Sequence, residues 1–234
     1  MVISELLRDG DLTIEGRLVD ASNATLYAAV SLGGSAAHCV YKPIRGERPL
    51  WDFPDGTLAF REVAAYAVSV ATGWDVVPPT VLREGPLGEG MVQLWIDVDQ
   101  AVDPVALMGE DHPALRRMAV FDAIVNNADR KGGHLLPVPG GHVYGVDHGV
   151  TFHEEPKLRT VLWGWRGRRF AAEELAVLDV VRTDIVSGDL GVTLRSLLSG
   201  AEVDATVARV ERLLSTRRFP FPSDDWPAVP WPPF

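Results

Sequence analysis

The residues best suited to catalysis lie close together, between positions 126 and 149. Asp129 is followed five residues later by His134, and the sequence Asp147-His148-Gly149 comes directly after a short β-prone segment, 143–146. A loop carboxylate can orient an acceptor hydroxyl, while a second carboxylate and a neighbouring ligand can hold a metal ion on the phosphates of ATP. Each motif alone also suits a surface ion pair or a turn. Their order along the chain favours phosphoryl transfer.

A lysine and a glutamate upstream fit the same chemistry. Lys42 ends a short predicted strand (38–42), and Glu62 lies in a predicted helix (58–71). Three apolar residues share the helix face of Glu62, at spacings of three and four: Leu58, Ala65 and Tyr66. A carboxylate on an apolar face usually has a partner, and a strand lysine held by a helix glutamate can point at the α- and β-phosphates. A solvated lysine and an exposed glutamate are the alternative.

Composition and charge exclude several classes of function. The chain has 234 residues, and 22 basic against 32 acidic residues give a net charge of −10. Nucleic acids and anionic lipid surfaces both attract basic proteins, so we expect no nucleic-acid partner and a protein or small-molecule acceptor rather than a membrane lipid. A single cysteine, Cys39, and the absence of a signal-like or membrane-spanning segment favour a cytoplasmic protein.

Hydrophobic periodicity divides the chain into two halves. Strands are predicted at 12–19, 25–32, 38–42, 80–83 and 91–98, with one helix at 58–71 and a Gly/Pro-rich loop at 84–90. Helices are predicted at 112–127, 173–186, 190–198 and 201–215, the last with a Ser199/Glu202 capping box, before an extended Pro/Trp-rich tail. This pattern predicts a bilobal α+β fold, with a strand-rich lobe at 1–97, a helical lobe at 98–234 and a ligand crevice between them.

The order of these motifs over residues 12–155 resembles the phosphatidylinositol 3-/4-kinase-like family, and more narrowly its small actinobacterial atypical kinase-like proteins. The matching stretches are a turn at 20–25, Tyr41-Lys42-Pro43, Phe60-Arg61-Glu62, strand 91–96, Asn127-Ala128-Asp129-Arg130 and Val146-Asp147-His148-Gly149. The resemblance implies a protein-kinase-like fold and an ATP-dependent phosphotransferase.

The resemblance also implies roles for individual residues. Lys42 contacts the phosphates of ATP, Glu62 orients Lys42, Asp129 positions and deprotonates the acceptor, and Asp147 holds Mn²⁺ or Mg²⁺. The phosphates are covered by Ser22, Asn23 and Ala24, and the adenine is flanked by Gln93, Leu94, Trp95 and Ile96.

One position departs from the family. An asparagine usually follows the catalytic aspartate by five residues, and this chain has His134 there. Imidazole nitrogen suits Mn²⁺ better than it suits Mg²⁺, so His134 as a metal ligand predicts a preference for Mn²⁺; a loop histidine bonded to backbone is the alternative. A basic segment between 152 and 169 predicts either an anionic acceptor or a solvated charged face.

Other activities remain open at this point. His134 leaves room for a pseudokinase that binds ATP without turnover, and the same cleft could serve a nucleotidyl transferase. Four histidines near acidic residues also permit a metal-dependent hydrolase: His134, His142, His148 and His153. The hydrolase has no use for Lys42 and Glu62 and lacks a helix-spaced histidine pair. The oligomeric state is not predicted.

Overall fold

The structure is a computed structural model that describes residues 2–18 and 24–234. Ser22 and Asn23, which the sequence predicts to cover the phosphates, lie outside the described residues. Ala24 is described, and its backbone N–H donates to the carbonyl of Gly46 at 3.1 Å.

The first part of the chain forms a five-stranded antiparallel sheet with the strand order β1-β2-β3-β5-β4. The strands are β1 (Asp11–Arg17), β2 (Leu26–Leu32), β3 (Ser35–Pro43), β4 (Thr80–Gly85) and β5 (Gly88–Leu94). One face buries apolar residues such as Cys39 and Tyr41 of β3. Because side chains alternate across a strand, Val40 and Lys42 lie on the other face. The sheet therefore presents Lys42 away from its own apolar core.

A short helix, α1 (Ile3–Asp9), covers the apolar face of this sheet and was missed by the sequence analysis. It is seven residues long, which is too short to show a clear helical period or to be stable alone. Its Leu6 and Leu7 are buried in the core of the sheet. Tertiary packing therefore stabilises this helix, and local propensity does not.

The predicted loop at 84–90 is wrong, because β4 and β5 form a tight hairpin across it. The register pairs Gly85 with Gly88, so two residues make the turn, and Gly88 has a φ of 91°. Gly90 has a second reason to be glycine, since a Cβ there would lie 2.4 Å from the carbonyl oxygen of Lys42. Glycines that permit a turn and a close strand contact gave this segment the composition of a loop.

Helix α2 (Leu58–Thr72) carries Glu62 and closely matches the predicted helix at 58–71. Its N-terminus is capped from upstream, since the Glu47 carboxylate accepts hydrogen bonds from the N–H groups of Leu58 and Ala59 at 3.1 and 2.8 Å. It ends at Gly73, which adopts the left-handed conformation with a φ of 66°. The apolar face of α2 packs into the core of the helical part of the chain.

Arg61, the neighbour of Glu62, fastens α2 to that helical part. Its side chain is buried, donates to the Thr151 carbonyl at 2.7 Å and forms an ion pair with Glu202. The guanidinium also lies over the Phe53 ring, 4.8 Å from its centroid. These contacts fix the helix that carries Glu62.

Substitution of Arg61 by alanine is expected to destabilise the protein by about 3–5 kcal/mol, because it leaves the buried Glu202 carboxylate without its cation. Arg182→Ala is the matched control, since it removes an exposed pair with Asp179 and should cost less than about 1 kcal/mol. Urea unfolding at an unchanged m-value measures both free energies. Equal destabilisation by the two variants would contradict this role of Arg61.

The rest of the chain is mainly helical. Its elements are α3 (Pro104–Met108), α4 (Pro113–Val125), a small hairpin of β6 (Leu135–Pro137) and β7 (Val143–Gly145), α5 (Ala172–Ser187), α6 (Asp189–Leu197) and α7 (Gly200–Thr216). The predicted helices agree with α4 to α7 within two residues at each end. The predicted capping box is confirmed, because Ser199 Oγ accepts from the Glu202 N–H and Glu202 accepts from the Ser199 N–H. Within the described residues, no helix is long and apolar enough to cross a bilayer.

The Pro/Trp-rich tail is extended and packs on the chain's own body. The Ala228 carbonyl accepts hydrogen bonds from the Thr160 N–H at 3.1 Å and from the Trp163 indole at 2.8 Å. Farther along, the Pro233 carbonyl accepts from the Gly132 N–H at 2.8 Å. The tail therefore reaches the loop between Asp129 and His134.

Candidate active site

A cavity of about 670 Å³ lies between the sheet and the helical part of the chain. It is lined by seven of the residues selected from the sequence: Lys42, Gln93, Leu94, Trp95, Ile96, His134 and Asp147. Ala24 lines a smaller neighbouring pocket together with Lys42, Glu62 and Asp147. Residues predicted from distant parts of the chain thus meet at one crevice.

Lys42 is held at the cavity wall by two carboxylates. Its Nζ donates to Glu62 Oε1 at 2.6 Å and to Asp147 Oδ1 at 2.8 Å. The second oxygen of Glu62 accepts from the His148 N–H at 2.8 Å. Glu62 therefore joins strand β3, helix α2 and the 147–149 loop, and this fixes the direction of the ammonium.

The charges of Lys42, Glu62 and Asp147 act strongly on one another. Burial by itself would lower the pKa of Lys42, but the charges of Asp147 and Glu62 outweigh burial and raise that pKa. Burial raises the pKa of Glu62, and Lys42 opposes that shift. Lys42 holds the pKa of Asp147 well below its usual range. The cavity wall thus carries a permanent cation beside an ionised aspartate.

Asp147 lies in a strained turn that exposes its carboxylate to the cavity. Its φ is 61°, a left-handed conformation that aspartate adopts more readily than most residues do. About half of its side chain, 48 %, remains accessible to solvent, whereas the Glu62 side chain is only 2 % exposed. Of the two carboxylates on Lys42, Asp147 is the one that a ligand in the cavity can reach.

His134 lies next to Asp147. Its Nε2 is 3.5 Å from Asp147 Oδ2, and its Nδ1 accepts a long hydrogen bond of 3.4 Å from the Lys131 N–H. Burial lowers the pKa of His134, so the ring is neutral near pH 7. A neutral ring that accepts at Nδ1 carries its proton on Nε2, and a cation bound at Nε2 has to displace that proton.

Asp129 lies on the loop after α4, beside His134 but outside the wall of the large cavity. Its N–H donates to Asn127 Oδ1 at 3.0 Å, which sets the turn. Its carboxylate is 3.0 Å from Lys131 Nζ, and the side chains of both residues are about one-quarter exposed. Lys131 was not predicted as a functional residue, although its position two residues after Asp129 places a second cation at this site.

A buried network that the sequence did not reveal holds the two loops together. Asp122 and Arg130 have fully buried side chains and form an ion pair, with Nη2 2.8 Å from Oδ1. Arg130 also donates to the Val146 carbonyl at 3.1 Å and lies 2.6 Å from His148 Nε2. Because guanidinium only donates, this imidazole nitrogen is the acceptor. The network fixes Asp129 relative to Asp147.

The strand end that was predicted to flank adenine has one free backbone donor. The Leu94 N–H donates to the Pro79 carbonyl and the Trp95 N–H to the His38 carbonyl. Gln93 uses its side-chain amide on Thr80 Oγ1 at 2.8 Å. Among the described residues, none accepts from the Ile96 N–H. The backbone of Ile96 can therefore donate to the edge of a planar base.

The histidines that suggested a hydrolase do not share a centre. His142 bonds to the Asp75 carbonyl, His148 to Arg130, and His153 packs on Phe53, while His134 faces Asp147. In the part of the chain that the structure describes, no three His, Cys, Asp or Glu side chains are placed to hold a metal. Asp147 and His134 supply one oxygen and one nitrogen donor, which fits a divalent cation completed by phosphate oxygens and water.

Comparison with curated proteins shows the family. The chain is 44 % identical to Protein Rv2133c of Mycobacterium tuberculosis over 264 aligned positions, which cover 98 % of this chain and 94 % of that protein. The chain belongs to the Rv2133c family. No protein-family model matches it.

Solved structures show the fold of this Rv2133c family member. The Golgi casein kinase with Mn/ADP bound has a TM-score of 0.63 and 13 % identity, covering 92 % of this chain and 74 % of that one. The Helicobacter pylori proinflammatory kinase CtkA has a TM-score of 0.52 and 11 % identity, covering 91 % and 94 %. The predicted α+β, bilobal, protein-kinase-like fold is confirmed.

Proposed function

We propose that this protein is an ATP-dependent phosphotransferase, an atypical kinase of the phosphatidylinositol 3-/4-kinase-like type. The observation that carries the proposal is the placement of Lys42 Nζ between Glu62 and Asp147 in the wall of a cavity of about 670 Å³. A fixed ammonium beside an accessible carboxylate suits the phosphates and the cation of a nucleotide. The neighbour with bound Mn and ADP has the same fold.

Each side chain has a proposed part in the transfer. Lys42, oriented by Glu62, binds the α- and β-phosphates, Ser22 to Ala24 cover them, and residues 93 to 96 flank the adenine. Asp129 accepts the proton of the acceptor hydroxyl as that oxygen bonds to the γ-phosphorus. The bond from the γ-phosphorus to its bridging oxygen breaks, and ADP leaves.

Asp147 and His134 are proposed to hold the metal, and Asp129 with Lys131 faces the acceptor. A bound Mn²⁺ or Mg²⁺ neutralises charge on the transferring phosphates. The lobes are proposed to be residues 1–97 and 98–234, with α2 from the first packed on the second. The acceptor is a protein or a small molecule.

Product analysis tests this function against the alternatives. Purified protein with Mn²⁺, ATP and candidate protein and small-molecule acceptors is expected to release ADP, because the proposed bond cleavage lies between the β- and γ-phosphates. Release of pyrophosphate, with AMP attached to the acceptor, would instead show nucleotidyl transfer, and saturable ATP binding without release of ADP or pyrophosphate would show a pseudokinase. Either of these results contradicts the proposed phosphotransferase.

A metal comparison tests the part of His134. Turnover is expected to be higher with Mn²⁺ than with Mg²⁺, because the ligand next to Asp147 is a nitrogen. His134→Asn replaces that nitrogen with an amide oxygen. The variant is expected to have an Mn²⁺/Mg²⁺ activity ratio about tenfold lower, because it lacks the ligand that favours Mn²⁺ over Mg²⁺. An unchanged ratio in the variant would remove His134 from the metal site.

A further inference from the structure

The basic segment between 152 and 169 contains one arginine that differs from the rest. Lys157 is paired with Asp52 at 2.8 Å and Arg168 with Asp111 at 3.1 Å. Arg166 donates to the Trp163 carbonyl, and Arg169 is exposed to water. The Arg159 side chain is only partly exposed and has no hydrogen-bond or ion-pair partner among the described residues.

The backbone of Arg159 lies against the loop that carries Asp129. Its N–H donates to the Asn127 carbonyl at 2.9 Å, and its carbonyl accepts from the Arg130 N–H at 3.1 Å. The second of these bonds and the bond from the Val161 N–H to the Arg130 carbonyl at 3.1 Å form a parallel bridge in which Arg130 pairs with Thr160. The segment that follows the 147–149 loop is thus hydrogen-bonded directly to the loop that carries Asp129, the proposed base.

The bridge sets which side chains are neighbours. The two residues that are paired in a bridge have their side chains on the same face. Arg130 Nε and Thr160 Oγ1 accordingly both donate to Asp122 Oδ2, at 3.0 and 3.4 Å. Because consecutive side chains alternate, Arg159 lies on the opposite face from Thr160 and away from Asp122. The Arg159 backbone is bonded to Asn127 and to Arg130, so it lies beside the part of the loop that holds Asp129, the residue proposed to take the acceptor's proton.

The guanidinium of Arg159 lacks an acceptor. Its Nε is shielded from solvent without a hydrogen-bond partner, and no hydrogen bond or ion pair joins its side chain to any residue in 2–18 or 24–234. Buried N–H groups are rarely left unpaired, and a group that is unpaired points to a missing ligand or water. Guanidinium matches phosphate and carboxylate oxygens in a two-pronged geometry.

We propose that Arg159 binds an anionic group of the acceptor, and that the acceptor is a small molecule carrying a phosphate near the hydroxyl that receives the new one. The inference rests on the proposed phosphotransferase: the hydroxyl oxygen bonds to the γ-phosphorus, its proton passes to Asp129, and ADP departs. A phospholipid headgroup offers the same chemistry, but a net charge of −10 disfavours approach to an anionic membrane.

Binding of glycerol 3-phosphate to the protein saturated with a non-hydrolysable ATP analogue and Mn²⁺ tests this directly by calorimetry, because the analogue fills the phosphate sites at Lys42. Arg159→Ala is expected to weaken this binding at least tenfold, and Arg159→Lys to recover part of it. The matched control, Arg169→Ala, removes an exposed cation from the same segment and is expected to change the Kd less than twofold.

The outcomes separate this inference from the proposed function. Failure of the analogue to bind contradicts the proposed function. Normal analogue binding with glycerol 3-phosphate affinity that is absent, or equal in the Arg159→Ala and Arg169→Ala proteins, overturns the role of Arg159 alone. Vesicles of phosphatidylcholine with phosphatidylinositol, an acidic serine peptide and uncharged glycerol serve as competing acceptors, and preferential phosphorylation of any of them overturns the assignment to a small phosphorylated molecule.

Discussion

Asp147→Asn is expected to lower phosphoryl transfer by at least about 10³-fold, the loss typical of removing a charged group that stabilises the transition state. The amide keeps the shape of the side chain but removes the charge that pairs with Lys42 and that faces the cavity. Initial rates of ADP formation with saturating Mn²⁺ and ATP measure the effect. The matched control is Asp204→Asn, which removes an exposed carboxylate on α7 and should leave the rate unchanged.

The thermal unfolding of Asp147→Asn has to be measured together with its rate of ADP formation. Asparagine adopts the left-handed conformation of residue 147 as readily as aspartate does, and Lys42 keeps its ion pair with Glu62. We therefore expect the variant to fold. A cooperative thermal transition together with the loss of activity supports the metal-binding role. Wild-type turnover in folded Asp147→Asn protein would contradict it.

Asp129→Asn is expected to reduce kcat by about 10²–10⁴-fold, the usual contribution of a general base, with little change in the KM for ATP. The residue lies outside the wall of the nucleotide-sized cavity, which is why ATP binding should be preserved. Its N–H anchor on Asn127 does not involve the carboxylate, so the turn should persist.

Separate measurement of ATP binding and of turnover distinguishes this variant from Asp147→Asn. Loss of both ATP binding and turnover in Asp129→Asn would place Asp129 in nucleotide binding, contrary to its proposed role. Unaltered kcat would show that the acceptor's proton goes elsewhere.

Local patterns predicted the parts of the site that depend on local order. Helical spacing put Glu62 on an apolar face, and the structure buries it there with Lys42 at 2.6 Å. Lys42 was predicted at the end of a strand, and the order of the loops pointed to Asp147 and His134, which lie with Lys42 in one cavity wall. The period of 3.6 residues, which the sequence displays directly, accounts for the prediction about Glu62.

The supporting contacts were not predictable in the same way. Arg61 and Glu202 are 141 residues apart, and Asp122, Arg130 and His148 come from a helix and two loops. Nothing in the local pattern distinguishes a buried ion pair of this kind from two surface charges, because burial is decided by tertiary packing. For the same reason, the sequence did not distinguish Arg159 from the other cations of the basic segment between 152 and 169.

A crystal structure with a non-hydrolysable ATP analogue and Mn²⁺ tests the central claim most directly. We expect the triphosphate in the cavity of about 670 Å³, with Lys42 Nζ on the α- and β-phosphates while it keeps Glu62, and the cation on Asp147. Nucleotide bound elsewhere, or bound in the cavity with its phosphates away from Lys42 and Asp147, would contradict the account.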